Sequence, residues 1–182
     1  YPELLHANVA ELSDPDVHFL YPHVAVHRPK KFAEKIHGAL AAVFPDITQR
    51  EVRDAAGAAY AAYDRWMQDV KAEGRRVIDE ARAAGRRIIV LAGRPYHIDP
   101  EISHGIDALI ASFDIAVVSE DCVADLEEPV RVHVLNQWTY HARLYNAARY
   151  VTRQPDMELV QLVSFGCGID AITTDEVRAI LE

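Results

Sequence analysis

Cysteine is scarce in this sequence. Cys122 and Cys167 are the two it has, at unrelated positions, which excludes a disulfide framework and makes a reducing cytoplasm the expected location. Long apolar runs are missing as well. None approaches the roughly 20 residues that span a bilayer, and no signal-peptide pattern opens the chain, so no membrane partner is expected. Basic residues are outnumbered, 19 Lys and Arg against 28 Asp and Glu, for a net charge of -9. A nucleic-acid-binding surface needs a basic stripe, so nucleic acid is excluded as a partner. The eight glycines form no dinucleotide fingerprint and no Walker loop, and GxSxG, HExxH and CxxC are absent too. An initiator methionine is also lacking. Tyr1 and Pro2 lead straight into structured-looking sequence and read as the start of a piece of a longer protein.

What is present is ordinary globular material, 50% apolar and 26% charged. The length fits one domain, or one domain with a helical appendage. Three segments are expected: an N-terminal α/β segment over 1–46, a long helix over 47–85 and a Rossmann-like α/β domain over 86–182. In the first, residues 3–12 read as a short helix and Val17 to Tyr21 as a short strand ended by Pro22. Residues 30–43 read as a helix, with Phe32, Ile36, Leu40 and Val43 three or four apart. Asp46 or Thr48 can cap the next helix, with Glu51 as the capping-box partner of Thr48. That helix runs from about Gln49 to Ala84. Its apolar stripe is Val52, Ala56, Ala59, Tyr63, Met67, Val70, Val77 and Ala81, with Gly74 at the position that would complete it. Such a seam suits packing within or between domains, or a dimer contact; its alanines and Gly74 make it a weak coiled coil.

From Arg86 onward strand and helix alternate. Strands are expected at Ile88 to Leu91, Ile115 to Val118 and Leu159 to Val163. Helices are expected at 100–112, carrying Ile102, Ile106, Leu109 and Ile110, at 137–152, and at 174–181. Thr173 and Glu176 read as a capping box for the last. Short buried runs between helices predict a parallel sheet covered on both faces, hence an α/β fold with a long helix preceding the main βαβ units. The strand C-termini then share one edge, where a ligand crevice is expected.

Three segments reach that edge: Gly93 to Glu101, Ser119 to Cys122 and Ser164 to Asp170. Arg94 beside a helix N-terminus suits a phosphate or carboxylate. Tyr96 adds a hydroxyl, His97 an imidazole and Asp99 a carboxylate, although Asp99 before Pro100 reads equally as a plain N-cap. His104 sits one turn into the helix, either as a structural histidine or facing back to the loop. In Ser164-Phe165-Gly166-Cys167-Gly168 the glycines leave the sulfur open, and a helix N-terminus lowers a thiol pKa. Cys167 is then a nucleophile or metal ligand, or else an inert cysteine in a tight turn. Cys122 follows Glu120 and Asp121, whose charges raise its pKa and make it a poor nucleophile. Trp138, His141 and Tyr145 share one helix face; they pack on the sheet, and His141 and Arg143 can reach the crevice.

At these residues the chain resembles a known family. The blocks LAGRPYHIDPEISHGI, QWTYHARL and LVSFGCGIDAITTDEV are similar to the uncharacterised domain of large bacterial acyl-CoA dehydratase activase-type proteins, related to the 2-hydroxyacyl-CoA dehydratase subunits. The resemblance is strong over about 86–182 and extends weakly to YPELLHANVAEL at the start. It implies a Rossmann-like lobe of an anaerobic system that dehydrates 2-hydroxyacyl-CoA through ATP-driven electron transfer to an iron–sulfur cluster. It also implies an acyl-CoA substrate and the other domains of the parent polypeptide as partners. Of the cluster ligands only Cys167 carries over. A 4Fe-4S cluster takes three or four cysteine thiolates, so a cluster is expected in the full-length protein and not in this piece alone.

The leading expectation is therefore a dehydratase-like α/β domain of a larger acyl-CoA dehydratase or activase protein. Arg94, His97 and His141 are its candidate catalytic residues. Gly93, Tyr96, Asp99, His104 and Ser164 are candidates for substrate contact, and Cys167 for metal. Two alternatives stand beside it: a non-catalytic ligand-binding or assembly domain, and a thiol-dependent enzyme using Cys167 with His97 or His141.

Overall fold

The computed structural model describes residues 1–134, 136–163 and 168–182. In chain order the elements are helices α1 (Pro2–Asn8), α2 (Pro29–Ala41) and α3 (Gln49–Ala83), strand β1 (Ile88–Ala92), and helices α4 (Pro100–Ser103) and α5 (Ile106–Ala111). Strand β2 (Ala116–Ser119), helix α6 (Thr139–Val151), strand β3 (Met157–Gln161) and helix α7 (Gly168–Leu181) follow. The chain divides into two compact units, residues 1–66 and 67–182.

In the first unit, α3 starts where its sequence says. The Glu51 amide donates to Thr48 Oγ1 at 3.2 Å and the Thr48 amide donates to Glu51 Oε2 at 2.8 Å, a capping box that satisfies two of the orphan N–H groups. Ala33, Val52 and Ala56 are buried, and the Phe32 and Tyr60 rings meet edge to face at 5.8 Å. The expected strand at Val17 to Tyr21 does not form. Among the described residues this unit offers no other strand for its backbone to pair with, and the segment instead places Phe19 and Tyr21 against the His6 ring, 6.0 and 6.2 Å between centroids.

The second unit is the α/β part. Its sheet has the order β2-β1-β3 and is parallel throughout, with Ile88 paired to both Ala116 and Met157 and Leu91 to Ser119 and Val160. One face packs on α3 and α6: Ile88 and Val90 lie in one core with Ile78, Ala81, Ala147 and Val151. Next to it Ala92, Leu144, Tyr145, Ala148 and Val177 close the core under α6 and α7. The fold is thus the expected α/β, Rossmann-like sheet flanked by helices, with a long helix ahead of it. Helix α3 ends at Ala83, and Gly85 just beyond it, with a left-handed φ of 67°, lets the Gly85 and Arg86 amides bond back to the Arg82 and Ala81 carbonyls.

Several expectations need correcting. The helix expected over 100–112 is broken into α4 and α5, because His104 and Gly105 both take left-handed φ values, 51° and 76°. The break leaves Ile102 and Leu109 exposed, so the second sheet face, with Ile89, Val117 and Val160 half-buried, is only partly covered. The closing helix begins at Gly168, not at 174. Thr173 is no cap there: its hydroxyl donates to the Ile169 carbonyl at 2.9 Å, inside the helix. The apolar stripe of α3 is also not continuous, since Ala59 and Tyr63 are exposed. Gly74 has its own reason for being glycine. A Cβ there would stand 2.4 Å from both Cβ and Sγ of Cys122, so α3 approaches the turn after β2 closely only because the side chain is missing.

Candidate functional site

Strand order decides where the site lies. β1 is central with a neighbour on either side, so the C-terminal ends of β1 and β3 form the strand switch point, where a ligand crevice is expected in such a sheet. The pairing continues one residue beyond β3, where the Leu162 amide donates to the Ala92 carbonyl at 2.7 Å, which brings Leu162 beside Gly93. Gly93 is buried there, and a Cβ on it would lie 2.5 Å from His97 Nδ1 and 3.0 Å from the Leu162 oxygen. The glycine is required by close approach, not by an unusual φ.

That space lets the loop fold back on itself. The Arg94 amide donates to His97 Nδ1 at 3.0 Å, and the His97 amide donates to the Arg94 carbonyl at 2.8 Å. Nδ1 is therefore the unprotonated nitrogen and Nε2 carries the hydrogen. Burial lowers the His97 pKa; the Asp170 charge opposes this and the Arg94 charge adds to it.

The Arg94 guanidinium turns to α7. Its Nη2 lies 2.8 Å and its Nε 3.2 Å from Asp170 Oδ1. Asp170 is 5% exposed and sits in the first turn of α7, where the helix dipole favours a carboxylate. The same guanidinium lies 5.7 Å from the Tyr140 ring centroid, and its pKa is held above the usual arginine value by Asp170. A cation–carboxylate pair thus joins the loop after β1 to the first turn of α7. No local pattern marks Asp170 as the partner of Arg94, since a pair 76 residues apart has no local signature.

His141 stands behind that pair. It is 3% exposed, with the Tyr140 ring at 3.9 Å and the Trp138 ring edge-on at 5.1 Å. Both of its ring nitrogens are buried without a hydrogen-bond partner. Burial lowers its pKa, Arg94 adds to the effect and Asp170 opposes it. With Val134, Trp138, Tyr145, Ile169, Ile172 and Thr173 it lines a hollow of about 210 Å³. A larger hollow, about 640 Å³, lies in the first unit against Lys30, Arg53 and Tyr60. It carries none of the candidate residues, and no polar side chain in its lining is buried.

Tyr96 is exposed at the crevice mouth and meets the His97 ring edge-on at 4.7 Å. Asp99 is an exposed N-cap, its Oδ1 accepting from the Glu101 amide at 2.9 Å. His104 is exposed at the break between α4 and α5. Ser164 and Cys167 lie outside the described residues. Arg143 does not join the crevice. Its Nη2 donates to Glu120 Oε1 at 3.1 Å and its Nη1 lies 2.8 Å from Asp121 Oδ1. The second contact is an ion pair whose geometry falls short of a hydrogen bond, since Asp121 Oδ1 counts none. Burial, reinforced by Asp121, pushes the Glu120 pKa up to about 7.

Cys122 proves to be a core residue, 5% exposed, with Sγ 3.6 Å from the Val70 carbonyl and from Ser119 Oγ. Its pKa is raised as expected, but burial is the main cause and the two acids are minor ones. Among the described residues no three His, Cys, Asp or Glu side chains stand together as a metal site; Cys167, the expected cluster ligand, is not one of those residues. No described helix is long and apolar enough to cross a membrane.

A family model described as the CoA enzyme activase uncharacterised domain matches residues 1–123. The chain belongs to that family. The match takes in α1 to β2 and the whole LAGRPYHIDPEISHGI block, and it reaches the N-terminal segment where the resemblance of the blocks is weak. It ends before the QWTYHARL and SFGCG blocks, so Asp170 and His141 of this activase-related domain lie outside it. No curated protein and no solved structure matches the chain significantly.

Proposed function

We propose that this activase-related domain serves, within a larger bacterial protein, in iron–sulfur-dependent 2-hydroxyacyl-CoA dehydration or its activation, and that its part is to bind and position. The observation that carries this reading is the Arg94–Asp170 pair, which ties the loop after β1 to the start of α7 across the strand switch point. A loop fixed by such a pair at the switch point is preorganised to meet a ligand there. Its histidines are neutral near pH 7, and His97 Nδ1 is already an acceptor for the Arg94 amide. They donate or accept hydrogen bonds to a bound group and are ill suited to carry positive charge.

Cys167 is the position at which this chain would supply a thiolate to a 4Fe-4S cluster. Cys122 is locked in the core, so the other ligands come from elsewhere in the parent protein. The test uses the parent protein. Anaerobic reconstitution of wild type and Cys167→Ser separates a cluster that loses a ligand from one that is untouched. Calorimetry with a 2-hydroxyacyl-CoA, in wild type and Arg94→Ala, reads the crevice. An Arg94→Ala affinity within twofold of wild type would remove the crevice from acyl-CoA binding.

A further inference from the structure

We infer that the exposed face of α3 from Ala55 to Trp66 is where a second copy of this chain docks, antiparallel, across a two-fold axis. The inference is independent of the crevice and of acyl-CoA. Among the described residues of the first unit, the buried apolar side chains are Ala33, Val52 and Ala56, a thin core for residues 1–66. α3 turns Val52 and Ala56 inward. On the neighbouring strip Ala55, Ala58, Ala59, Ala62, Tyr63 and Trp66 recur at three- and four-residue spacing, and all are exposed. Tyr63 and Trp66 are 55% and 54% exposed, with ring centroids 5.8 Å apart. Two large rings side by side on an uncharged, solvent-facing strip mark a contact surface.

The order of residues along the strip selects the occupant. Its small residues lie at one end and its large ones at the other. A copy running the opposite way, with the axis between Tyr60 and Ala61, sets Trp66 over Ala55 of the other copy. It also sets Tyr63 over Ala58 and Ala59 over Ala62, so each ring fills the space above an alanine. The same axis brings Arg65 within one turn of Asp54 of the other copy, on the same flank of the helix and twice per dimer. Within its own chain Asp54 is 3.6 Å from Arg50, an exposed pair that leaves it open to a second cation. A parallel copy would instead set Trp66 on Trp66, Arg65 on Arg65 and Asp54 on Asp54. The two rings offer on the order of 100 Å² each. With the four alanines the face stays below the roughly 800 Å² per partner of a standard interface, so the dimer is weak, with a dissociation constant of about 10 μM to 1 mM.

Sedimentation equilibrium of the 182-residue chain, from about 10 μM to 1 mM, should show a monomer–dimer equilibrium. Trp66→Ala should weaken it by about tenfold or more. Asp54→Arg alone and Arg65→Asp alone should each weaken self-association by about threefold or more, because both charge contacts become repulsive. An equimolar mixture of those two variants should associate at least as well as wild type, since every contact between unlike copies then joins opposite charges. All three positions are exposed, so the variants should keep the wild-type circular dichroism. A monomer throughout that range would leave the face to another domain of the parent protein and overturn the inference. So would a dimer indifferent to Trp66→Ala, or a mixture that associates no better than its components.

Discussion

Replacing Gly93 by alanine is a one-carbon perturbation whose sign separates two accounts of the crevice. An alanine at a glycine position with ordinary backbone angles and free space stabilises a protein by about 0.4–1 kcal/mol, because the unfolded chain loses freedom. Gly93 has no left-handed φ; among the described residues Gly85 and Gly105 are the glycines that do. Space is the issue. The added Cβ would stand 2.5 Å from His97 Nδ1 and 3.0 Å from the Leu162 oxygen. The carbonyl belongs to a backbone segment paired to β1 and cannot easily retreat, so the imidazole must. Its displacement removes the bond from the Arg94 amide, about 0.5–1.5 kcal/mol, and overpacking adds about 1–3 kcal/mol. Set against the entropic gain, a net destabilisation of about 2 kcal/mol is expected.

Urea unfolding followed by circular dichroism reads this as a fall in the midpoint at constant m-value. The decisive measurement is the cycle with His97→Ala. Once the ring is gone the methyl has room, so Gly93→Ala should cost at least about 1 kcal/mol less in the His97→Ala background than in wild type. Gly93→Ala that stabilises the protein, or penalties that simply add, would refute the claim that glycine is there for the histidine.

Three more outcomes follow from the same geometry. Gly74→Ala should destabilise by about 1–3 kcal/mol despite the helix propensity it gains, and Cys122→Gly should relieve the penalty, since the new Cβ would meet Cys122 at 2.4 Å; an unchanged urea midpoint would contradict this. Glu120 keeps its proton more tightly folded, at about 7, than at the ordinary 4.5. Its contribution is therefore complete below about pH 4.5 and lost as pH rises toward 7, a decline of roughly 3 kcal/mol at most that Glu120→Gln should flatten in a stability-versus-pH profile. His97 and His141 have the opposite sign. Their folded pKa values lie below 6.5, so their contribution is present above that pH and falls away on acidification, and NMR titration midpoints at or above 6.5 would exclude the buried neutral imidazoles.

The parts of this fold that could be read in the sequence are those decided by neighbours in the chain. Thr48 and Glu51 stand three apart and cap α3 as their spacing demands. The three strands appear within a residue or two of the apolar runs that announce them. Local signals fail where one residue has two local uses. Thr173 has the right neighbour for a capping box, but its hydroxyl can also bond the carbonyl four residues back, and once α7 starts at Gly168 the second use wins. His104 and Gly105 sit in a helical pattern, yet a glycine beside a residue that tolerates left-handed angles can break it.

The site divides along the same line. The loop contact between Arg94 and His97 spans three residues and lies within a stretch already marked by its glycine. The Arg94–Asp170 and Arg143–Glu120 pairs join residues far apart in sequence, and nothing short of the folded sheet says which arginine meets which acid. That pairing sets the chemistry of the crevice. Had Arg143 taken Asp170, Arg94 would stand uncompensated beside two histidines and the crevice would suit an anion. With Asp170 on Arg94, and Glu120 and Asp121 holding Arg143, the charge at the crevice is balanced. With both arginines compensated, net charge does not select a ligand at this edge of the sheet, which leaves hydrogen bonding and shape to do so.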